Sequence, residues 1–351
     1  MGSSTNYTCP TSTVTDPAQS PIVGSLSFHQ LITIISGACT VFACVLSFYL
    51  IFRHATHYSL PKEQRHIIRI IFMIPVFAIL SFLSVIWYDG AEYLKPIESA
   101  YEAFALASFF LLLCAYVQED DNERQTFLQT SGTMKQYTAA TIGSFQFPVV
   151  MIVLLVVTEI TQATGSYCET SNSIHFAHIW VTVLSALSTV VAISSVLRYY
   201  KALKPTIKHR KPLSKLVGFK AIVFLNFVQT IIFSLLTSNN DLKPTNHITY
   251  NDLSIGLPNL ILCLEMVIFS IAFLFIYRTQ EYIFKASAES AVPLGHGGYQ
   301  GGFMGFRAYG QAINFLDIIQ GIVSVPGLLM SKRTAKKGGK AWVTGPQVSR
   351  V

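Results

Sequence analysis

Seven stretches of the chain carry almost no charge and no strict alternation of polar and apolar positions: residues 29–52, 67–88, 97–118, 139–161, 176–199, 213–237 and 256–277. A helix rising about 1.5 Å per residue needs roughly 20 apolar residues to cross ~30 Å of hydrocarbon. Each run therefore predicts one spanning helix. The segments between them are short and polar, so consecutive helices are expected to pack antiparallel in an all-α, seven-helix transmembrane bundle. Pro75, Pro148 and Pro258 fall within these runs. Such prolines are tolerated where neighbouring helices re-satisfy the backbone groups they free.

Composition supports this reading. The 351 residues are 51% hydrophobic and 12% charged, against about 25% charged in soluble domains. The net charge of +7 changes the picture through its placement. With the N-terminus outside and the C-terminus cytoplasmic, every Lys and Arg except Lys95 and Lys243 falls on the inner side or its helix ends. The reverse orientation would invert the positive-inside rule. The basic residues thus serve membrane orientation, and no nucleic-acid partner is expected.

The polar start of the chain has no basic region of the kind that opens a signal peptide, so the first apolar run is expected to act as the targeting signal. Residues 1–28 read as a flexible extracellular or lumenal segment carrying a glycosylation sequon at Asn6. Cys9 and Cys168 are the two cysteines outside the membrane, both on the oxidising side. A disulfide between them is expected, with two free thiols as the alternative. Residues 29–285 form the transmembrane domain. Residues 286–330 read as a glycine-rich linker followed by an amphipathic helix with Phe306, Tyr309, Ile313, Leu316, Ile319 and Val323 on one face. That helix is expected to lie in the inner leaflet, or else to dock beneath the bundle. The Lys- and Gly-rich residues 331–351 read as a disordered basic tail.

The costly residues are the polar ones inside the runs. Glu265 stands at the centre of the last run, where a carboxylate costs at least roughly 2.5 kcal/mol, and burial favours its neutral form. It should face the interior, with Lys220, Asn226 and Gln229 of the preceding helix as candidate partners. Lys220 can instead snorkel to the inner surface. Glu98 and Glu102 share one face of the third helix beside Tyr101. With Asp89, Glu92, Glu159 and Glu169 they read as an acidic outer vestibule, or as interfacial charge favoured at a helix N-terminus. Arg65 and Arg69, spaced i, i+4, are expected to reach anionic lipid phosphates, or else to grip an anionic ligand. Two His-x-x-His pairs, His54/His57 and His175/His178, lie at opposite membrane faces and cannot share an ion. No catalytic residue, metal or cofactor is expected.

The stretches "YSLPKEQRHIIRIIFMIPVFAILSFLS", "ESAYEAFALASFFLLLCAY", "KLVGFKAIVFLNFVQ" and "PNLILCLEMVIFSIAF" together resemble the organic solute transporter alpha family, including its transmembrane protein 184 branch. The resemblance spans roughly residues 30–285. It implies a seven-helix protein with its N-terminus outside, which moves amphipathic organic solutes such as steroids or bile-acid-like anions. It also implies a small single-span beta-type partner subunit, with a homo-oligomer as the other possibility. Matching positions are Pro61, Gln64, Arg65, Arg69, Pro75, Glu98, Tyr101, Glu102, Lys220, Gln229, Asn259 and Glu265. The chain departs from the pattern at Val228, where relatives often carry an aromatic. It departs again at the lone Cys114, where the transporter subunit has a cysteine-rich run. Both departures favour the general branch.

The chain is thus expected to be an integral protein of the plasma membrane or of an endomembrane or vacuolar membrane, not an enzyme. It would handle solutes, sterols or lipids passively or with a partner. The alternative is a seven-helix receptor-like or scaffold protein in membrane signalling or trafficking. Against that alternative, "CAYVQEDD" lacks an Asp/Glu-Arg-Tyr signature and the last helix lacks Asn-Pro-x-x-Tyr.

Overall fold

The computed structural model describes residues 9, 20–169, 171, 173–238, 244–283 and 298–337. Asn6, most of the N-terminal segment, residues 284–297 of the linker and the last part of the basic tail lie outside them. Among the described residues there are helices and two isolated bridges, but no strand.

The first run becomes α1 (Phe28–Thr56), opened by a reciprocal capping box between Ser27 and Gln30. The second run is divided into α2 (Pro61–Ile71) and α3 (Met73–Ile86). The break at Phe72 has a definite cause: Pro75 has no N–H, and its ring collides with the carbonyl four residues back, at Ile71. The remaining spans are α4 (Ala91–Val117), α6 (Met134–Ala163), α7 (Ala177–Ile207), α8 (Pro212–Ser238) and α9 (Leu257–Ile276). A short polar helix, α5 (Asp121–Thr130), fills the loop after α4; Asp120 caps it by accepting from the amides of Asn122 and Glu123. A π-helical turn, Asp252–Gly256, leads into α9.

Around this bundle Val41, Phe48, Val153, Leu187, Val190, Phe224, Phe227, Ile268 and Phe275 are exposed. An apolar coat of this extent faces lipid rather than water. α4 packs against α2, α3 and α6, α9 against α1 and α3, and α6 against α7. α8 leans chiefly on α9, with only a light contact to α4.

The C-terminal segment departs from expectation. Its helix is broken into α10 (Phe306–Ile313) and α11 (Leu316–Lys337), with a corner at Asn314 and Phe315. α10 lies on α2, and α11 runs along α6 and touches α4. The apolar face read as lipid-facing is partly used on protein: Phe315 meets Phe104 with ring centroids 5.4 Å apart. Gly321 lies against the Phe145 ring so closely that a Cβ there would overlap it. Helix also continues to Lys337, into the part of the tail expected to be disordered. By length and composition, Phe303–Met330 counts as an eighth stretch able to cross a membrane, beside the seven already named.

Candidate functional site

Two polar pairs lie inside the bundle, and both hang on α8. The Lys220 ammonium pairs with Glu102 of α4, the two side chains being 13% and 10% exposed. Lys220 thus turns inward to Glu102, instead of snorkelling or meeting Glu265. Its ammonium also sits over the rings of Phe147 and Phe219, 5.7 Å from each centroid. Further along α8, the Gln229 amide donates to Glu265 Oε1 on α9. Glu265 is half-buried. Its Oε2 and the Gln229 Oε1 are buried without partners among the described residues. Buried acceptors of this kind each call for a donor: a proton, a water or a ligand group.

Other expected site residues are placed differently. Glu98 is buried and accepts from Ser81 on α3 at 3.3 Å, so it is no interfacial charge. Asn259 donates to Ile255 O in the π-helical turn just ahead of α9 at 2.8 Å, a local bond rather than a bridge between helices. Asn226 is half-buried on α8. Tyr101 donates to the backbone carbonyl of Arg69 at 2.8 Å.

Arg69 requires the largest correction. It does not reach lipid phosphates: the residue is 3% exposed and its guanidinium is taken up by the C-terminal segment. It binds Asp317 through both Nη atoms, at 2.9 and 3.0 Å, and the carbonyls of Ala312 and Asn314 at 2.8 and 2.5 Å. These carbonyls belong to the end of α10, where four oxygens have no intrahelical donor. Arg65 is partly exposed, 3.6 Å from the same carboxylate.

At the end of the bundle that gathers the basic residues, the fold builds a clasp. Arg210 donates to Glu63 Oε1 at 2.8 Å, and Tyr282 donates to Glu63 Oε2 at 2.9 Å. Lys215 is buried and donates to Tyr116 at 2.8 Å, and Glu281 lies 3.5 Å from both Arg210 and Lys215. Gln64 folds back to accept from the amides of Ser59 and Leu60 at 2.8 and 3.0 Å. This explains the Pro-x-Glu-Gln-Arg motif: Pro61 starts α2, Glu63 anchors the clasp and Gln64 caps the turn. His54 is buried with Nε2 3.0 Å from Tyr277 O, and His57 turns to its own helix at Arg53 O. His178 packs on the Tyr167 ring.

At the opposite end Cys9 and Cys168 are joined by a disulfide, with Cα atoms 5.5 Å apart. Lys95 pairs with Glu169 at 2.8 Å, and Gln162 donates to Glu92 at 2.5 Å. A shallow recess of about 290 Å³ is lined by Tyr88, Asp89, Glu92, Asn251 and Ile255.

The family profile described as organic solute transporter Ostalpha matches residues 32–282. A curated relative, Protein LAZ1 homolog 1 of Arabidopsis thaliana, is 28% identical over 274 residues, 69% of this chain and 56% of its own. A transmembrane protein 184 homolog of Dictyostelium discoideum is 24% identical over 292 residues, 77% of this chain and 56% of its own. The chain thus spans little more than half the length of these relatives. No solved structure matches it. Matched along nearly all of its bundle, from the second turn of α1 to the clasp tyrosine Tyr282, the chain belongs to the Ostalpha family of integral membrane proteins.

Proposed function

We propose that this protein is a membrane transporter for amphipathic organic solutes, sterols or lipids, with its N-terminus outside and seven spanning helices. Transport is passive or depends on a partner. The observation that carries the reading is the attachment of α8. This helix packs chiefly on α9, yet it holds one end of both interior polar pairs, Lys220–Glu102 and Gln229–Glu265. A lightly packed helix is free to shift relative to α4. Two polar pairs in hydrocarbon give a solute with a polar head somewhere to exchange hydrogen bonds as it passes. The family's description as organic solute transporters agrees with this route.

Proteoliposomes loaded with labelled sterols or bile-acid-like anions test the proposal, with the chain alone and with a single-span subunit. Saturable flux above empty vesicles is expected. Glu265→Gln should reduce that flux at least tenfold while folded protein in the membrane stays constant. Wild-type flux in this variant, or none from the native chain in either arrangement, would overturn the reading. The second outcome would leave a receptor-like or scaffold protein.

A further inference from the structure

At the basic end of the bundle, a recess of about 470 Å³ opens between the last turns of α1 and α9. It is lined by Tyr49, Leu50, Arg53, Leu274, Phe275, Arg278, Thr279 and Gln280. We propose that it is a binding site for a phosphate-bearing anion, supplied by an acidic phospholipid in the adjoining leaflet.

Charge makes the first argument. Arg65, Arg69, Arg124 and Arg210 each have a carboxylate partner. Arg53 and Arg278 form no ion pair among the described residues. The nearby carboxylate, Glu281, is engaged by Arg210 and Lys215. Helix C-termini explain part of the placement, since each carries about −0.5 of an elementary charge that favours a cation. Two such ends against two full guanidinium charges still leave the recess positive.

Hydrogen bonding makes the second. Arg53 Nη1 donates to the Tyr49 hydroxyl at 3.1 Å and Nη2 to Thr279 Oγ1 at 3.5 Å. Its Nε is buried without a partner among the described residues. Arg278 donates through Nε to Phe275 O at 3.1 Å. Its two terminal nitrogens have no partner among the described residues. The side-chain fork of an arginine matches a phosphate bidentately, and Gln280 adds an exposed amide at the rim.

The wall makes the third. Tyr49 and Phe275, which both line the recess, are 50% and 63% exposed. A free phosphate has no use for such a surface, whereas acyl chains do. The site stands apart from the α4–α8–α9 pairs, and its test reads binding rather than flux.

The full chain, purified in detergent, is titrated with dioctanoyl phosphatidic acid and retained lipid is counted by native mass spectrometry. One saturable lipid per chain is expected, with dioctanoyl phosphatidylcholine retained at least tenfold more weakly. Inorganic phosphate at millimolar concentration should not displace the lipid. Arg278→Gln alters an exposed side chain and should fold normally. It should cut retention at least threefold, and Arg53→Gln with Arg278→Gln at least tenfold. Arg53→Lys with Arg278→Lys keeps the charge but loses the fork, and should cut retention at least threefold. Undiminished retention in both Gln variants overturns the site. Displacement by inorganic phosphate alone overturns the lipid source and leaves a free-phosphate site.

Discussion

Asp317 closes a bidentate pair with Arg69 across 248 positions of sequence, at 2.9 and 3.0 Å. The same guanidinium binds backbone carbonyls at the α10–α11 corner, and its centre lies 5.0 Å from the Phe315 ring centroid. One side chain thus fastens the C-terminal segment to the bundle.

Removing Arg69 leaves Asp317 only the partly exposed Arg65 at 3.6 Å, so the loss is expected to stay below the about 3–5 kcal/mol of a fully stranded buried charge. Arg69→Gln is therefore expected to lower the thermal midpoint in detergent and to make α11 sensitive to trypsin at its basic end. Arg69→Lys keeps the charge but loses the fork, and should rescue little. A variant with native melting and an intact, protected C-terminal segment would contradict the anchoring role.

Two glycines set close approaches in the bundle. A Cβ on Gly321 would overlap the Phe145 ring, which is buried and packed edge-on against Phe110. A Cβ on Gly143 would overlap Ser195, including its Cβ, which cannot rotate away. Each Gly→Ala change is expected to cost about 1–3 kcal/mol through overpacking. Gly143→Ala should loosen α6 from α7, and Gly321→Ala should release only α11. Melting curves, with limited proteolysis of the C-terminal segment, separate the two.

The apolar runs were legible because spanning a bilayer needs only length and hydrophobicity, and these are local. The pairing of Gln229 with Glu265 was legible too, because sequential helices tend to be neighbours. Arg69 was misread because its own helix shows only a cation near the membrane rim, while Asp317 lies in a distant segment. The clasp was not foreseen either. Glu63, Arg210, Tyr116 and Tyr282 come from four separate segments, and nothing in their spacing signals convergence. An amphipathic α10–α11 pattern looks the same whether lipid or protein covers it.

The Lys95–Glu169 pair at the disulfide end gives a pH test. The Lys95 ammonium holds the Glu169 carboxyl below its ordinary value of 4.5, against the opposing effect of burial, with Glu92 and His178 acting in the same direction as Lys95. A depressed carboxylate contributes stability that is present above its unfolded value and is lost as pH falls through the folded one. Both side chains are well exposed, at 54% and 39%, so screening keeps the effect under about 1 kcal/mol. Glu169→Gln is expected to lower the midpoint slightly at pH 7. Its difference from the native chain should shrink progressively as pH falls below 4.5 and through the lowered folded value, and should shrink in molar salt. A pH-independent difference would assign the effect to packing.

The Lys220–Glu102 pair allows the structural and transport roles of α8 to be separated. Both side chains are largely buried, so Lys220→Met or Glu102→Leu alone leaves an unpaired charge and should destabilise strongly, by about 3–5 kcal/mol. The double variant removes both charges and fills the space with apolar atoms, so it should fold nearly as well as the native chain. If the pair serves only to hold α8 against α4, the double variant regains flux together with stability. If a solute's polar group exchanges with the pair, the double variant regains stability while flux stays at least tenfold down. The second outcome is expected, because the proposed route has the solute's polar head exchange hydrogen bonds with this buried pair as it passes. Melting and flux measured on the same preparations decide between them.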